Sequence, residues 1–209
     1  MRVLTVVIAL VAGSASLARA RGGALFIPPI EVDAGTGAPI GEPAAVTGAT
    51  TEMLIGLHWA SLAWIPTPIE LGVGYIEHSQ ALASPEFART TMPVDEHLRL
   101  SGGYFTVGYA VVQHRHWRTW LAARGELLKA RMPDREFSTR GGAVRLATEL
   151  FASVHGMGGH GGAGGIIAGT FAIGFYIEAA RRELPQELGA TEVTAGLTFR
   201  LPLIAVAAN

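Results

Sequence analysis

The 209-residue chain contains no cysteine, only one lysine (Lys129), and few charges of either sign, since Asp, Glu, Lys and Arg make up 16% of it. Without cysteine, a secreted domain stabilised by disulfides is excluded. A disordered chain would carry more charge and fewer than the 49% apolar residues found here. The formal net charge of −1 provides no basic surface of the kind that binds nucleic acid.

Apolar residues and glycine are abundant instead, with 27 Gly and a mean hydropathy of +0.34. The length suits one domain of ordinary size or a small membrane barrel. Residues 1–20 are typical of a secretory signal peptide, because Arg2 precedes a short apolar run and an A-x-A cleavage site occupies 18–20. The run is shorter than the ~20 residues of a spanning helix. A short N-terminal helix or an uncleaved anchor is the alternative. We expect residues 21–209 to form a single β-barrel domain.

Apolar residues recur at every second position in successive segments after residue 50, which predicts β-strands. The clear segments are 69–75, 117–127, 144–154, 171–179 and 193–201, while 53–64 and 98–112 have less distinct faces. Gly102-Gly103 is a candidate bulge. An eighth segment, 24–33, contains Pro28-Pro29, which suits an edge, a bulge or a broken first strand. The sequence therefore predicts eight strands.

The connections between these strands alternate in length over the first five, which are 35–50, 65–68, 78–96, 113–115 and 132–141. Up-and-down outer-membrane barrels alternate long outer loops with short periplasmic turns in this way. The sixth connection, the Gly-rich 156–168, should be a short turn and is too long. The seventh is 181–190.

The two faces of the strands favour a membrane barrel over a soluble one. The face opposite the apolar one carries Gly, Ala, Thr, Tyr and isolated charges, which is too few polar groups for a solvated surface but suits a narrow lumen. Aromatic residues near strand ends match an interfacial girdle: Trp59, Trp64, Tyr75, Trp117 and Phe171. The soluble alternative is a periplasmic, lipocalin-like barrel that binds an apolar ligand.

Inward faces carry four glutamates and four arginines: Glu70, Glu126, Glu149, Glu178, Arg118, Arg124, Arg145 and Arg200. Buried charges are tolerated when paired, and the planar fork of arginine suits carboxylates. We therefore predict a packed lumen with an ion-pair network, in which Glu126 faces Arg145 if 132–141 folds symmetrically. Such a lumen indicates a plug; a small pore, or charges solvated at the rims, are the alternatives.

The last predicted strand has Thr194, Gly196, Phe199 and Leu201 in the spacing polar-x-Gly-x-x-apolar-x-apolar. On this motif, and on the strand pattern of 51–201, the chain resembles small eight-stranded outer-membrane β-barrel proteins of the OmpA/OmpX-like kind. The chain departs from that family by continuing from Pro202 to Asn209 instead of stopping near a terminal aromatic residue.

The resemblance implies an all-β, antiparallel up-and-down transmembrane β-barrel of eight strands in the outer membrane of a Gram-negative bacterium. It implies that 194–201 is an assembly signal read by the barrel-assembly machinery. Outer-membrane lipid and periplasmic chaperones are the other implied partners.

Candidate reactive residues are sparse. His155 and His160 are weak metal candidates in a Gly-rich segment, because two ligands do not complete a tetrahedral site. Some eight-stranded outer-membrane barrels are lipid A acyl-chain enzymes with a lipid-facing Ser and His, but alternation points Ser153 and His155 into the lumen. A membrane helix over 156–177 is disfavoured by its many glycines. We expect no enzymatic activity, no metal and no cofactor, and a structural or surface-interaction role.

Overall fold

The structure is a computed structural model that describes residues 24–27, 30–40, 47–60, 68–82, 97–114, 116–132, 136–159, 163–184, 191–201 and 203–208. Its regular elements are all strands: β1 (Ala24–Ile27), β2 (Ile30–Ile40), β3 (Thr47–Ala60), β4 (Ile69–Leu82), β5 (His97–Gln113), β6 (Trp117–Arg131), β7 (Glu136–Gly159), β8 (Ala163–Arg182), β9 (Thr191–Leu201) and β10 (Leu203–Ala208). Within these ranges, no helix is long and apolar enough to cross a bilayer. The predicted signal peptide, residues 1–20, lies outside them.

Strands β2 to β9 form a closed antiparallel barrel, in which each strand pairs with the next and β9 pairs with β2. The prediction of an all-β, eight-stranded, up-and-down barrel is therefore confirmed. Strands β1 and β10 continue β2 and β9 past the barrel, where they pair with each other and β10 pairs with β8. Pro28, Pro29 and Pro202 stand at the two interruptions in the sequence, and proline has no N–H for a ladder.

The strand register fixes the dimensions of the barrel. Following directly paired residues once around the wall from Trp117 leads to Leu127, ten residues further along β6. With ~3.3 Å per residue and ~4.8 Å between strands, this shift gives a strand tilt of ~40° and a radius of ~8 Å. A lumen of this width is filled by inward side chains.

We call the end of the barrel at connections 41–46, 83–96, 132–135 and 183–190 the loop side, and the opposite end the turn side. The predicted connections 35–50 and 78–96 are too long, because the strands that flank them run further than the alternation indicated. The same is true of 132–141. Backbone pairing continued through Gly, Thr and charged residues that the sequence pattern had placed in loops.

The sixth connection is also shorter than predicted. Strand β7 runs to Gly159 and β8 begins at Ala163, so that 160–162 replaces 156–168. Glycines lie opposite each other in this hairpin, as in the pair Gly158 and Gly165. The described residues of this segment are therefore strand rather than helix. The connection is short, as expected for a turn-side connection.

Two local irregularities differ from the sequence prediction. The register of β5 shifts between Ala110 and Val112, not at Gly102-Gly103. A second shift lies between Thr47 and Thr50 on β3. The predicted strand 24–33 is divided into β1 and β2, one of the outcomes that Pro28-Pro29 favoured.

Candidate functional site

Large apolar side chains cover the outer wall of the barrel in a continuous belt. On β6 the belt runs from Trp117 to Leu127, which are 37% and 72% exposed. Ten residue steps at a tilt of ~40° span ~25 Å, the height of the apolar band of an outer-membrane barrel. The other exposed members include Ile69, Leu71, Val73, Phe105, Val107, Tyr109, Leu121, Val144, Leu146, Leu150, Phe171, Ile173, Phe175, Ile177, Leu197, Phe199 and Leu201.

Exposed charges begin above this belt, on the loop side, and form what we call the collar: Glu77, Arg99, Lys129, Arg131, Glu136, Arg140, Arg181 and Glu183. Two ion pairs lie within it, Arg131 with Glu136 at 3.0 Å and Arg140 with Glu183 at 2.7 Å. Of the predicted aromatic girdle, Trp117 and Phe171 are exposed toward the turn side and Tyr75 is half-buried. The side chains of Trp59 and Trp64 lie outside the described residues.

The inner wall holds the charged residues, inverting the arrangement of a soluble protein. All eight charges singled out in the sequence lie on it. The described lumen contains further acidic and basic side chains as well: Glu31, Asp33, Glu52, His58, His78, Arg182 and Glu192. In total it has eight carboxylates against five arginines and two histidines, so it is richer in acid than the balanced set expected from sequence.

The loop-side half of the lumen is organised by two arginines. Arg124 Nη2 lies 2.6 Å from Glu178 and 2.7 Å from Glu126. Arg182 binds three carboxylates, with Nε 2.9 Å from Glu126, Nη1 2.8 Å from Glu192 and Nη2 2.8 Å from Glu52. Six side chains from β3, β6, β8 and β9 thus form one ion-pair network across the barrel.

The turn-side half is organised by Arg200, which contacts Glu31, binds Glu70 at 2.9 Å and binds Glu149 at 3.0 Å. Arg118 donates from Nε to Glu149 at 2.9 Å. His58 Nδ1 lies 2.6 Å from Glu70 Oε1 and 3.3 Å from Glu31 Oε2, so that its ring bridges two carboxylates.

Arg145 joins the two halves, because it binds Glu178 at 2.8 Å on the loop side and contacts Asp33. The prediction that Glu126 faces Arg145 across the hairpin is wrong. Since β7 begins at Glu136, the register places Arg145 opposite Ala122 and Glu126 opposite Gly141. The register beyond the shortened loop therefore decides the partners.

Two tyrosines fill the middle of the lumen by packing on glycines. Tyr104 lies over Gly56 and Gly74, which are directly paired on β3 and β4. Tyr176 lies over Gly35, which is paired with Gly196. A side chain at Gly56 would collide with the Tyr104 hydroxyl, so these close approaches require glycine.

Little open space is left between these side chains. A cavity of about 30 Å³ lies in the middle of the lumen, with Asp33, Arg145 and Thr198 among its lining residues. This volume has room for one or two water molecules. Toward the loop side, an apolar cluster also fills the lumen; its buried members are Leu54, Ile76, Leu98, Leu100, Tyr104, Leu128 and Ala130.

Two groups of described side chains bring three possible metal-ligand atoms within 4.8 Å of one another: Glu31, His58 and Glu70, and Glu52, Glu126 and Glu178. Arg200 contacts both carboxylates of the first group, and Arg124 contacts all three of the second. The guanidinium groups thus supply the positive charge that a metal ion would bring. His155 lies on described backbone but its side chain is outside the described part, as is all of His160.

The backbone of Ser153 and His155, the candidate catalytic pair, lies beyond the last residues at which β7 pairs with β6. The last pair between β6 and β7 is Trp117 with Leu150, and Ser153 and His155 follow on the part of β7 that continues past it. Their backbone pairs with β8 at Thr170 and Ala168. Their side chains are outside the described residues, so the lumen position that alternation indicates stays a prediction.

The predicted assembly motif lies on β9. Thr194 is 1% exposed on the inner wall, Phe199 and Leu201 are 42% and 46% exposed on the outer wall, and Gly196 faces Tyr176. The residues after the motif include β10, which continues the pairing with β8.

Charges that sequence reasoning missed had identifiable causes. Glu52 stood between the predicted connection 35–50 and the segment 53–64, and Arg182 stood in the predicted connection 181–190. Glu31 and Asp33 stood beside Pro28-Pro29 in the doubtful first strand. The period-two pattern extends from Leu54 to Glu52 and from Ala180 to Arg182. Following it past the predicted strand ends would have placed both charges on the inner wall.

No family model and no curated protein matches the chain. Among solved structures, it is similar to the outer membrane protease OmpT from Escherichia coli, with 9% identity over 88% of this chain and 98% of that chain and a TM-score of 0.25. We expected no enzymatic activity; because this match is to a protease, that expectation is corrected and withdrawn. A TM-score of 0.25 assigns no activity to the chain.

Proposed function

We propose that the protein is an integral β-barrel of the outer membrane of a Gram-negative bacterium, with a lumen closed by packed, ion-paired side chains. The observation that carries this proposal is the distribution of charge. Apolar side chains cover ~25 Å of the outer wall, whereas eight carboxylates and five arginines lie inside. In water, both features would destabilise the folded protein, because apolar surface would be exposed and charge would be buried.

The closed lumen supports a role on the surface of the barrel rather than in solute passage. The ion pairs, the two tyrosines and the apolar cluster fill the lumen from the turn side to the loop side. The role of the protein would then reside in its outer wall and its loop-side residues. A barrel of this kind resembles the small OmpA/OmpX-like outer-membrane proteins.

Biogenesis supplies the proposed partners. The signal peptide would direct export, periplasmic chaperones would carry the chain, and the barrel-assembly machinery would read Thr194, Gly196, Phe199 and Leu201 on β9. Outer-membrane lipid would then surround the belt.

The soluble alternative, a lipocalin-like barrel that binds an apolar ligand, is disfavoured by the lumen. Its cavity of about 30 Å³ is lined by charged groups such as Asp33 and Arg145, which would lose their hydration or partners to an apolar ligand.

Two measurements test the proposal. Fractionation should place the protein in the outer membrane, and in detergent its electrophoretic mobility should change on boiling; recovery in the soluble periplasm would refute the membrane barrel. In planar bilayers, the folded protein should give no steady conductance, whereas a stable open channel would refute the closed lumen.

A further inference from the structure

The outer wall has a groove of about 490 Å³ where the belt meets the collar. Its floor contains Gly125 on β6 and Gly142 on β7, which are directly paired. Phe105 and Leu127 stand beside them, 59% and 72% exposed. Because glycine has no side chain, the floor leaves a gap in the outer wall beside these two residues.

The two halves of the floor differ in how much space lies above them. The ring of Phe105 lies over Gly125, where any side chain would collide with it. Above Gly142 the space is open, since an added Cβ would meet only the Arg124 carbonyl oxygen at 3.4 Å. The groove is thus walled by an aromatic ring at one side and open to the surroundings over β7.

Arginines form the upper rim of the groove. Arg181 is directly paired with Gly142, and Arg140 with Leu127. Glu183 accepts a hydrogen bond from Arg140 Nε at 2.7 Å, so the rim of two arginines and one glutamate carries a net positive charge. Lys129 follows Leu127 on the same outward face and adds a further cation close by. An apolar gap therefore lies directly below a cationic edge.

We propose that this groove binds one anionic membrane lipid, with an acyl chain over Gly142 against the ring of Phe105 and its phosphate at Arg140 and Arg181. The inference rests on the proposed membrane location. An acyl chain fits the gap because it fills apolar space between Phe105 and Leu127. A phosphate fits the rim because the guanidinium fork bonds phosphate oxygens bidentately.

Native mass spectrometry of the protein released from detergent micelles tests the proposal. Micelles are doped with phosphatidylglycerol or with phosphatidylcholine of the same acyl chains. The wild-type protein should retain one phosphatidylglycerol in preference to phosphatidylcholine. sn-Glycerol 3-phosphate, which has the phosphate without acyl chains, should compete at least tenfold less well.

Three variants separate the contributions. Gly142→Leu fills the floor and keeps every charge, while Arg140→Gln with Arg181→Gln keeps the floor and removes the rim. Each should lower the retention of phosphatidylglycerol at least tenfold. The matched control is Arg99→Gln with Arg131→Gln, a directly paired couple elsewhere in the collar, which removes the same charge and should leave retention unchanged.

Each contrary outcome overturns the proposal. Equal loss in the control pair would mean diffuse attraction to the collar, and unchanged binding by Gly142→Leu would mean a headgroup contact without a chain site. Heat-modifiable mobility verifies that each variant is folded. If the wild-type protein enters bilayers but binds both lipids equally, only the proposed lipid site is refuted. If the protein does not enter bilayers, the proposed membrane barrel is refuted.

Discussion

Replacing Arg182 by Met tests whether the lumen is held together by its ion pairs. Arg182 is 4% exposed and lies 2.8–2.9 Å from the carboxylates of Glu52, Glu126 and Glu192. Methionine has a similar length and no charge. In the Arg182→Met variant, Glu52 and Glu126 keep Arg124. Among the described residues, Glu192 keeps only the His78 ring, at 3.4 Å, and the hydrogen bond from the Thr194 hydroxyl, at 3.2 Å.

Removing one partner of a buried pair costs about 3–5 kcal/mol, because the remaining charge stays buried without compensation. We expect a loss of this size in the free energy of unfolding for Arg182→Met. The neighbouring Arg181 is exposed on the outer wall. The control Arg181→Met makes the same chemical change and should cost at most about 0.5 kcal/mol.

Urea unfolding in micelles of zwitterionic detergent measures the difference, followed by tryptophan fluorescence, to which Trp120 contributes from the lumen, where it is 4% exposed. Equal stability of Arg182→Met and Arg181→Met, within about 1 kcal/mol, would refute the reasoning.

Two further changes test the outer wall and the packing of the lumen. Leu71→Arg or Leu197→Arg, at outward positions within the belt, should cost ~2–4 kcal/mol in lipid vesicles; wild-type folding of both would contradict a lipid-facing wall. Gly56→Ala should cost ~1–3 kcal/mol by overpacking against Tyr104, whereas Gly103→Ala, where the nearest atom is 3.9 Å away, should be tolerated. Adding Tyr104→Phe to Gly56→Ala should recover part of that loss in thermal unfolding; no recovery would mean that the hydroxyl contact is unimportant.

The period of the sequence was sufficient for the barrel and for the direction of each strand face. Ile173, Phe175 and Ile177 on the outer wall and Glu178 on the inner wall follow directly from alternation on a strand. Strand ends could not be obtained in this way, because Gly, Thr and charged residues occur both in loops and in a lumen.

Partners within the lumen depend on register, which a period of two does not determine. A loop six residues shorter than predicted moved Arg145 away from Glu126 and toward Asp33 and Glu178. The contact between Arg182 and Glu52, 130 residues apart, depends on closure of the whole barrel. Such contacts across the lumen are not encoded in any local pattern.

The apolar outer wall is proposed to face lipid, and the absence of native cysteine makes spin labelling of this wall direct. Single cysteines at Ile173, Ile177 and Arg181 sample one outward face of β8 from the belt to the collar. In vesicles, power saturation of the attached nitroxides should show collision with oxygen at 173 and 177 and with a water-soluble nickel chelate at 181. Nickel collision at 173 and 177 equal to that at 181 would contradict the account.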